Sequence, residues 1–150
     1  MTSMYTATCG ILLLGSDSQA KKAAQFTSVL QNILTQQKIS RILFENNNPI
    51  PFTQLTRGLL PRSVSLELVS CYASHIDYRV LYTEYDQIHN LPREHTSIRQ
   101  ALFNVRKFII DQSDIIIYHA ACPAAKQERV QKYLSHTKNK LLIDIGQYQI

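Results

Sequence analysis

Glycine is scarce in this chain, with only four among 150 residues. Turns that bring backbone amides close to a phosphate rely on glycine, because a Cβ blocks close approach and positive φ. A glycine-rich phosphate cradle therefore has little to be built from. Long apolar runs are missing as well: none approaches the roughly 20 residues that a membrane-spanning helix needs. Residues 1–9 lack the basic start and apolar stretch of a signal peptide. The three cysteines, Cys9, Cys71 and Cys122, are odd in number and widely spaced. They match neither a zinc pattern nor a disulfide framework, so reduced thiols in a cytoplasmic protein are expected. There is no internal repeat, low-complexity tract or linker, and the length suits one domain spanning residues 1–150.

Acidic side chains are outnumbered, 11 against 16 basic, which leaves a net charge of +5. That balance favours the approach of anions without naming one. The basic residues are spread rather than clustered with aromatics, which speaks against a nucleic-acid footprint. Lys21, Lys22, Lys38, Arg41, Arg57, Arg62, Arg106, Lys107, Lys138 and Lys140 read mostly as solvated surface charges.

What is present is an alternation of short apolar runs with helix-period segments. Residues 9–14 form a continuous apolar run, as expected for a strand covered on both faces. Gly15, Ser16, Asp17 and Ser18 end it and offer helix caps. Ala23, Phe26, Leu30, Ile33 and Leu34 then recur at three- and four-residue steps, and residues 39–44 read as a second strand. Such a strand–helix–strand unit normally closes right-handed with parallel strands. Residues 46–51 are loop-like, and residues 54–60 allow a short helix. Residues 64–72 alternate as a strand does, and residues 86–89 suit a short edge strand. Residues 79–85 fit strand or helix equally. Ile98, Leu102, Val105 and Ile109 mark a helix over residues 97–112, and residues 114–118 a buried strand. Pro123 suits the first turn of another helix, with Val130, Tyr133 and Leu134 on its apolar face, and residues 141–145 close as a strand. This pattern predicts an α/β fold, a three-layer Rossmann-like domain with a mostly parallel central sheet.

In such folds ligands meet the carboxyl ends of strands, so the residues there are the candidates. Gly15 and Ser16 lie at the first strand-to-helix turn, where Ser16 and Ser18 fit either a phosphate or ribose contact or ordinary helix capping. Glu45 and Asn46 follow the second strand. Glu45 fits a ribose ligand or a base in N-glycosidic cleavage, and a polar loop explains the same residues. Arg106 and Asn104 are placed on the polar side of their helix. The Arg106 fork suits an anion, and an ion pair with Asp111 suits it equally. Asp114, with Ser113, is expected to bind backbone amides at the start of its strand. His119 follows a buried strand at its carboxyl end and serves either a ligand or a structural hydrogen bond. The five histidines show no metal-ligand spacing, no cysteine has an activating context, and no metal or cofactor is nominated.

The stretch from Asn104 through Arg106, Asp111, Ser113 and Asp114 to Tyr118 resembles the YpsA-like members of the SLOG superfamily, a Rossmannoid group. In those proteins a helix bearing asparagine and arginine leads through an aspartate-containing turn into Ser/Thr-Asp and an apolar strand. The likeness in order and spacing extends over about residues 8–147, and residues 104–118 carry its specific part. Asp-x-Ser-Asp before an apolar strand also occurs in nucleoside deoxyribosyltransferase-like and TIR-like domains. The resemblance implies a nucleotide-type ligand and places Asn104 and Arg106 near the cleft. The chain departs from the family at two turns. Glu45-Asn46-Asn47-Asn48-Pro49 stands where a glycine-rich turn is usual, and residues 120–125 hold no glycine where a glycine pair is common.

The expected function is a SLOG-like module that binds a nucleotide or related phosphorylated ligand without strong catalysis. One rival is an N-glycosidic hydrolase or transferase acting through Glu45. Another is an interaction protein that has kept the scaffold and lost the pocket, working as a homo-oligomer. A nucleic-acid role like that of the group's DNA-processing members ranks last, and no membrane partner is expected.

Overall fold

The computed structural model describes residues 7–12, 19–45, 57–58, 60, 63–71, 85–91, 96–118, 128–135, 137 and 139–145. Six strands are present among them: β1 (Ala7–Leu12), β2 (Ile39–Glu45), β3 (Ser65–Ser70), β4 (Gln87–Asn90), β5 (Ile115–Tyr118) and β6 (Leu141–Asp144). The helices are α1 (Gln19–Gln36), α2 (Ile98–Gln112) and α3 (Glu128–Ser135). All five strand pairings are parallel, in the order β4-β3-β2-β1-β5-β6. The chain steps outward from β1 to β4, then returns to the other side of β1 to lay down β5 and β6.

Right-handed crossovers require the outgoing and returning halves of such a sheet to be covered on opposite faces. The core divides accordingly. Phe26, Val29, Leu30 and Ile33 of α1 pack with Cys9, Ile11, Ile42, Phe44, Leu66 and Ile117. Ala101, Val105, Ile109 and Ile110 of α2, with Leu134 of α3, pack with Leu12, Leu43, Val69 and Ile116 on the other face. This is the three-layer α/β, Rossmann-like architecture.

The alternation in residues 64–72 predicts a strand with one polar face, yet every residue of β3 after Ser65 is buried. Its Glu67 lies beneath the α2 layer rather than in solvent, 4% exposed. The short edge strand expected near residues 86–89 is β4.

Parallel strands start with amides that no neighbour satisfies, and two aspartates solve this in the same way. The Thr8 N–H donates to Asp114 Oδ2 at 2.9 Å, while the Asp114 N–H donates to the Thr8 carbonyl at 2.8 Å. Likewise the Leu66 N–H donates to Asp86 Oδ2 at 2.8 Å, and the Asp86 N–H to the Leu66 carbonyl at 2.7 Å. Partial desolvation opposes the Asp86 charge, but the Leu66 amide and the Arg57 guanidinium outweigh it and hold this carboxyl below its ordinary value. A depressed folded-state value makes the clamp's contribution complete above the unfolded value, and that contribution fades as pH falls through the folded one. The difference in melting temperature between the protein and Asp86→Asn should therefore hold steady from about pH 7 to about pH 5 and shrink in stronger acid. A difference that grows as pH falls contradicts this.

The carboxyl end of α2 is held by Lys140, whose ammonium donates to the carbonyls of Ile110 (2.6 Å), Asp111 (3.2 Å) and Ser113 (2.8 Å). A cation there answers both the orphan carbonyls and the helix dipole. Three of the basic residues depart from a solvated-surface role: Lys140 caps a helix, Arg41 pairs with the buried Glu67, and Arg106 is buried, whereas Arg57 pairs with Asp86 at the surface.

Candidate functional site

A sheet whose strand order reverses leaves a crevice at the carboxyl ends of the two strands flanking the reversal. Here those strands are β1 and β5. β1 ends at Leu12 and β5 at Tyr118, and the two residues are register partners. Tyr118 also partners Asp144 on β6, and Glu45 partners Val69, which in turn partners His89. Since Ile11 partners Phe44, Leu12 and Glu45 stand next to each other. One rung therefore crosses the sheet as His89, Val69, Glu45, Leu12, Tyr118 and Asp144. Strand alternation sends all six to the α2 side, because Phe44, Ile88, Ile117 and Ile143 pack on the α1 side.

Two of the predicted residues meet on this rung. Glu45, the last residue of β2, is 6% exposed, and Arg106 of α2 is 2% exposed. The Arg106 Nε donates to Glu45 Oε2 at 3.0 Å. Arg106 therefore faces the sheet and not the polar side of its helix, a correction to the sequence reading. Helix periodicity explains it: Ala101, Val105 and Ile109 are all buried, and Arg106 lies beside Val105 on the same covered face. The alternative pair with Asp111 is not formed. Asp111 instead accepts from the Tyr133 hydroxyl of α3. That bond pushes the Tyr133 phenol up to about 12, with desolvation and the Asp111 charge adding to it.

Asn104 is half-buried and takes its bond from Gln100 Nε2 on its own helix at 2.9 Å rather than joining the Glu45–Arg106 pair. Gly15, Ser16, Asn46 and His119 lie outside the described residues. Asp114 binds the Thr8 amide as expected, and the Ser113 hydroxyl donates to the Ile109 carbonyl at 2.5 Å. Cys9 is fully buried, and desolvation pushes its thiol up to about 12, which suits an inert core residue.

Three groupings escape a reading of the sequence. Glu67 Oε1 accepts from Arg41 Nη2 at 3.1 Å and lies 2.5 Å from His89 Nε2, joining β2, β3 and β4. Phe108 of α2 rests against the His89 ring, centroids 5.5 Å apart. Tyr118 and Asp144 form the third grouping, beside the crevice. The available signal for them is position alone, since each is the last residue of its strand. Among the described residues no group of histidine, cysteine, aspartate or glutamate could hold a metal ion. No described helix is long and apolar enough to cross a membrane.

The Glu45–Arg106 pair is thus built into the packing of α2 on β2, while Leu12, Tyr118 and Asp144 carry the rung across the strand reversal. No protein-family model matches the chain, and no curated protein does.

Proposed function

We propose that the protein is a SLOG-like binding module that holds a nucleotide or related phosphorylated ligand in the crevice between β1 and β5, without strong catalysis. The observation that carries this reading is the strand order, which reverses between β1 and β5 and so opens a crevice of the kind in which doubly wound sheets take such ligands. The net charge of +5 favours an anion, and the resemblance over residues 104–118 points the same way. The absence of strong catalysis rests on Glu45. A glycosidic base must reach its substrate, and this carboxylate is buried against Arg106 instead.

Thermal unfolding against ATP, GTP, NAD, ADP-ribose, cyclic nucleotides and nucleosides tests the reading. A ligand at about 100 times its dissociation constant stabilises by roughly 2.7 kcal/mol, which for a chain of this size raises the melting temperature by roughly 5–10 °C. A shift for one class supports the module, and the same ligand is then followed for turnover. No shift with any of them overturns the reading.

A second reading, an interaction protein working as a homo-oligomer, is favoured by Leu141 and Leu142. They are 47% and 36% exposed on β6, the last strand of the described sheet, and exposed apolar residues on an edge strand invite another chain. A concentration-dependent mass in solution, lost in Leu141→Lys, supports it.

A further inference from the structure

The strand β6 carries a sequence that is complementary to itself. Among the described residues its one strand neighbour is β5, and Leu141 and Leu142 are the large apolar side chains left exposed. The Leu141 N–H donates to the Asp114 carbonyl at 3.0 Å, so the backbone of Leu141 faces β5. Successive residues of a strand turn their N–H and carbonyl to opposite sides, and those of Leu142 therefore point away from the sheet. A second copy of β6 related by a twofold axis must run antiparallel to the first, with the axis perpendicular to the joined sheet. Opposed residues then share a face, so odd numbers meet odd and even numbers meet even. A pairing centred on Leu141 sets Lys140 against Leu142, and one centred on Ile143 sets Asp144 against Leu142. A pairing centred on Leu142 sets it against its own copy, Leu141 against Ile143, and Lys140 against Asp144. Of the three, that register alone matches apolar with apolar and positive with negative, the cross-strand pairs that stabilise a sheet.

We propose that β6 pairs antiparallel with β6 of a second copy of this chain about a twofold axis at Leu142, joining two six-stranded sheets edge to edge. This inference rests on the homo-oligomer reading and supplies its geometry. Leu142 meets its own copy on the α2 side, and Leu141 meets Ile143 on the α1 side, where Ile143 already packs. The bonds from Lys140 to the end of α2 need not break, because the register asks only that opposite charges face each other. A strand of four residues supplies little of the roughly 1,200–2,000 Å² that a stable interface buries. The dimer is therefore weak and dissociates on dilution. Pairing through the outer side of β6 leaves the crevice between β1 and β5 open.

The test combines sedimentation of the unaltered full chain over a range of concentrations with oxidation of two variants, Leu142→Cys and Leu141→Cys. Both carry Cys122→Ser, and Cys9 and Cys71 are buried. In the proposed register two copies of position 142 form a hydrogen-bonded pair with Cα atoms about 5.5 Å apart, within reach of a disulfide. Two copies of position 141 stand about 8 Å apart, beyond that reach. The unaltered protein should pass from monomer to dimer mass as its concentration rises. With oxidised glutathione, Leu142→Cys should become a covalent dimer on a non-reducing gel and Leu141→Cys should not. A dimer in which Leu142→Cys forms no bridge, or Leu141→Cys forms one in its place, overturns the register and leaves the homo-oligomer reading standing. Monomer mass at every concentration overturns both.

Discussion

Arg106→Ala is expected to destabilise the protein by about 3–5 kcal/mol, the usual cost of leaving one member of a buried ion pair without the other. Both side chains are nearly sealed, 3% exposed for Arg106 and 8% for Glu45, so water cannot take over the missing partner's role. For a chain of this length the melting temperature should drop by roughly 6–20 °C. Glu45→Ala should do comparable damage. The double replacement Arg106→Met with Glu45→Leu should recover much of the loss, because it removes both charges and keeps apolar volume against Val105 and Leu43. Equilibrium unfolding in urea measures all four proteins. A loss below about 1 kcal/mol for Arg106→Ala would mean that the pair sits in water and is worth no more than a surface contact.

Gly10→Ala is expected to cost about 1–3 kcal/mol, although it adds one methyl group to the centre of a strand. Gly10 is in β1 on the side of α2, and a Cβ there would stand 2.4 Å from Ser113 Oγ and 2.7 Å from Ile109 Cγ2. Neither neighbour is free to retreat. Ile109 is fully buried, and the Ser113 hydroxyl is bonded back to the Ile109 carbonyl. The missing side chain lets the end of α2 sit directly on the central strand. Ser113→Ala in the same chain removes the nearer obstacle, so the double variant should be less destabilised than the sum of the two single changes. By contrast, Gly58→Ala meets no atom within 4 Å of the added Cβ and should unfold almost as the parent does. If Gly10→Ala and Gly58→Ala melt alike, α2 is not packed on β1 as described.

The fold was legible wherever periodicity was strong. The apolar runs that become β1, β2 and β5 are covered on both faces, and the helical spacing of Phe26, Leu30 and Ile33 matches the face that α1 buries. Periodicity failed where a charged residue was placed inside. Glu67 and Arg106 carry the chemistry of surface positions, and partners such as Arg41 with His89, and Glu45, make burial affordable. Those partners are 22 to 61 residues distant along the chain, so no local pattern announces them. The candidate site was legible in part for a related reason. Glu45 could be placed at a strand end from its own run of residues. Its neighbours Tyr118 and Asp144 join the same rung only through the register of six strands, which emerges from tertiary pairing. Gly10 was hidden differently, because a glycine within an apolar run shows its reason only when the helix above it is in place.

A two-dimensional NMR titration of the isotopically labelled protein, with the nucleotide giving the largest thermal shift, locates the ligand site. The backbone amides of Leu12, Tyr118 and Asp144 should move together with a single dissociation constant, while those at the amino ends of the strands, Ala7 and Ser65 among them, stay in place. Shifts confined to the amino ends, or to the β3–β4 side around Glu67 and His89, would contradict a ligand site at the strand reversal.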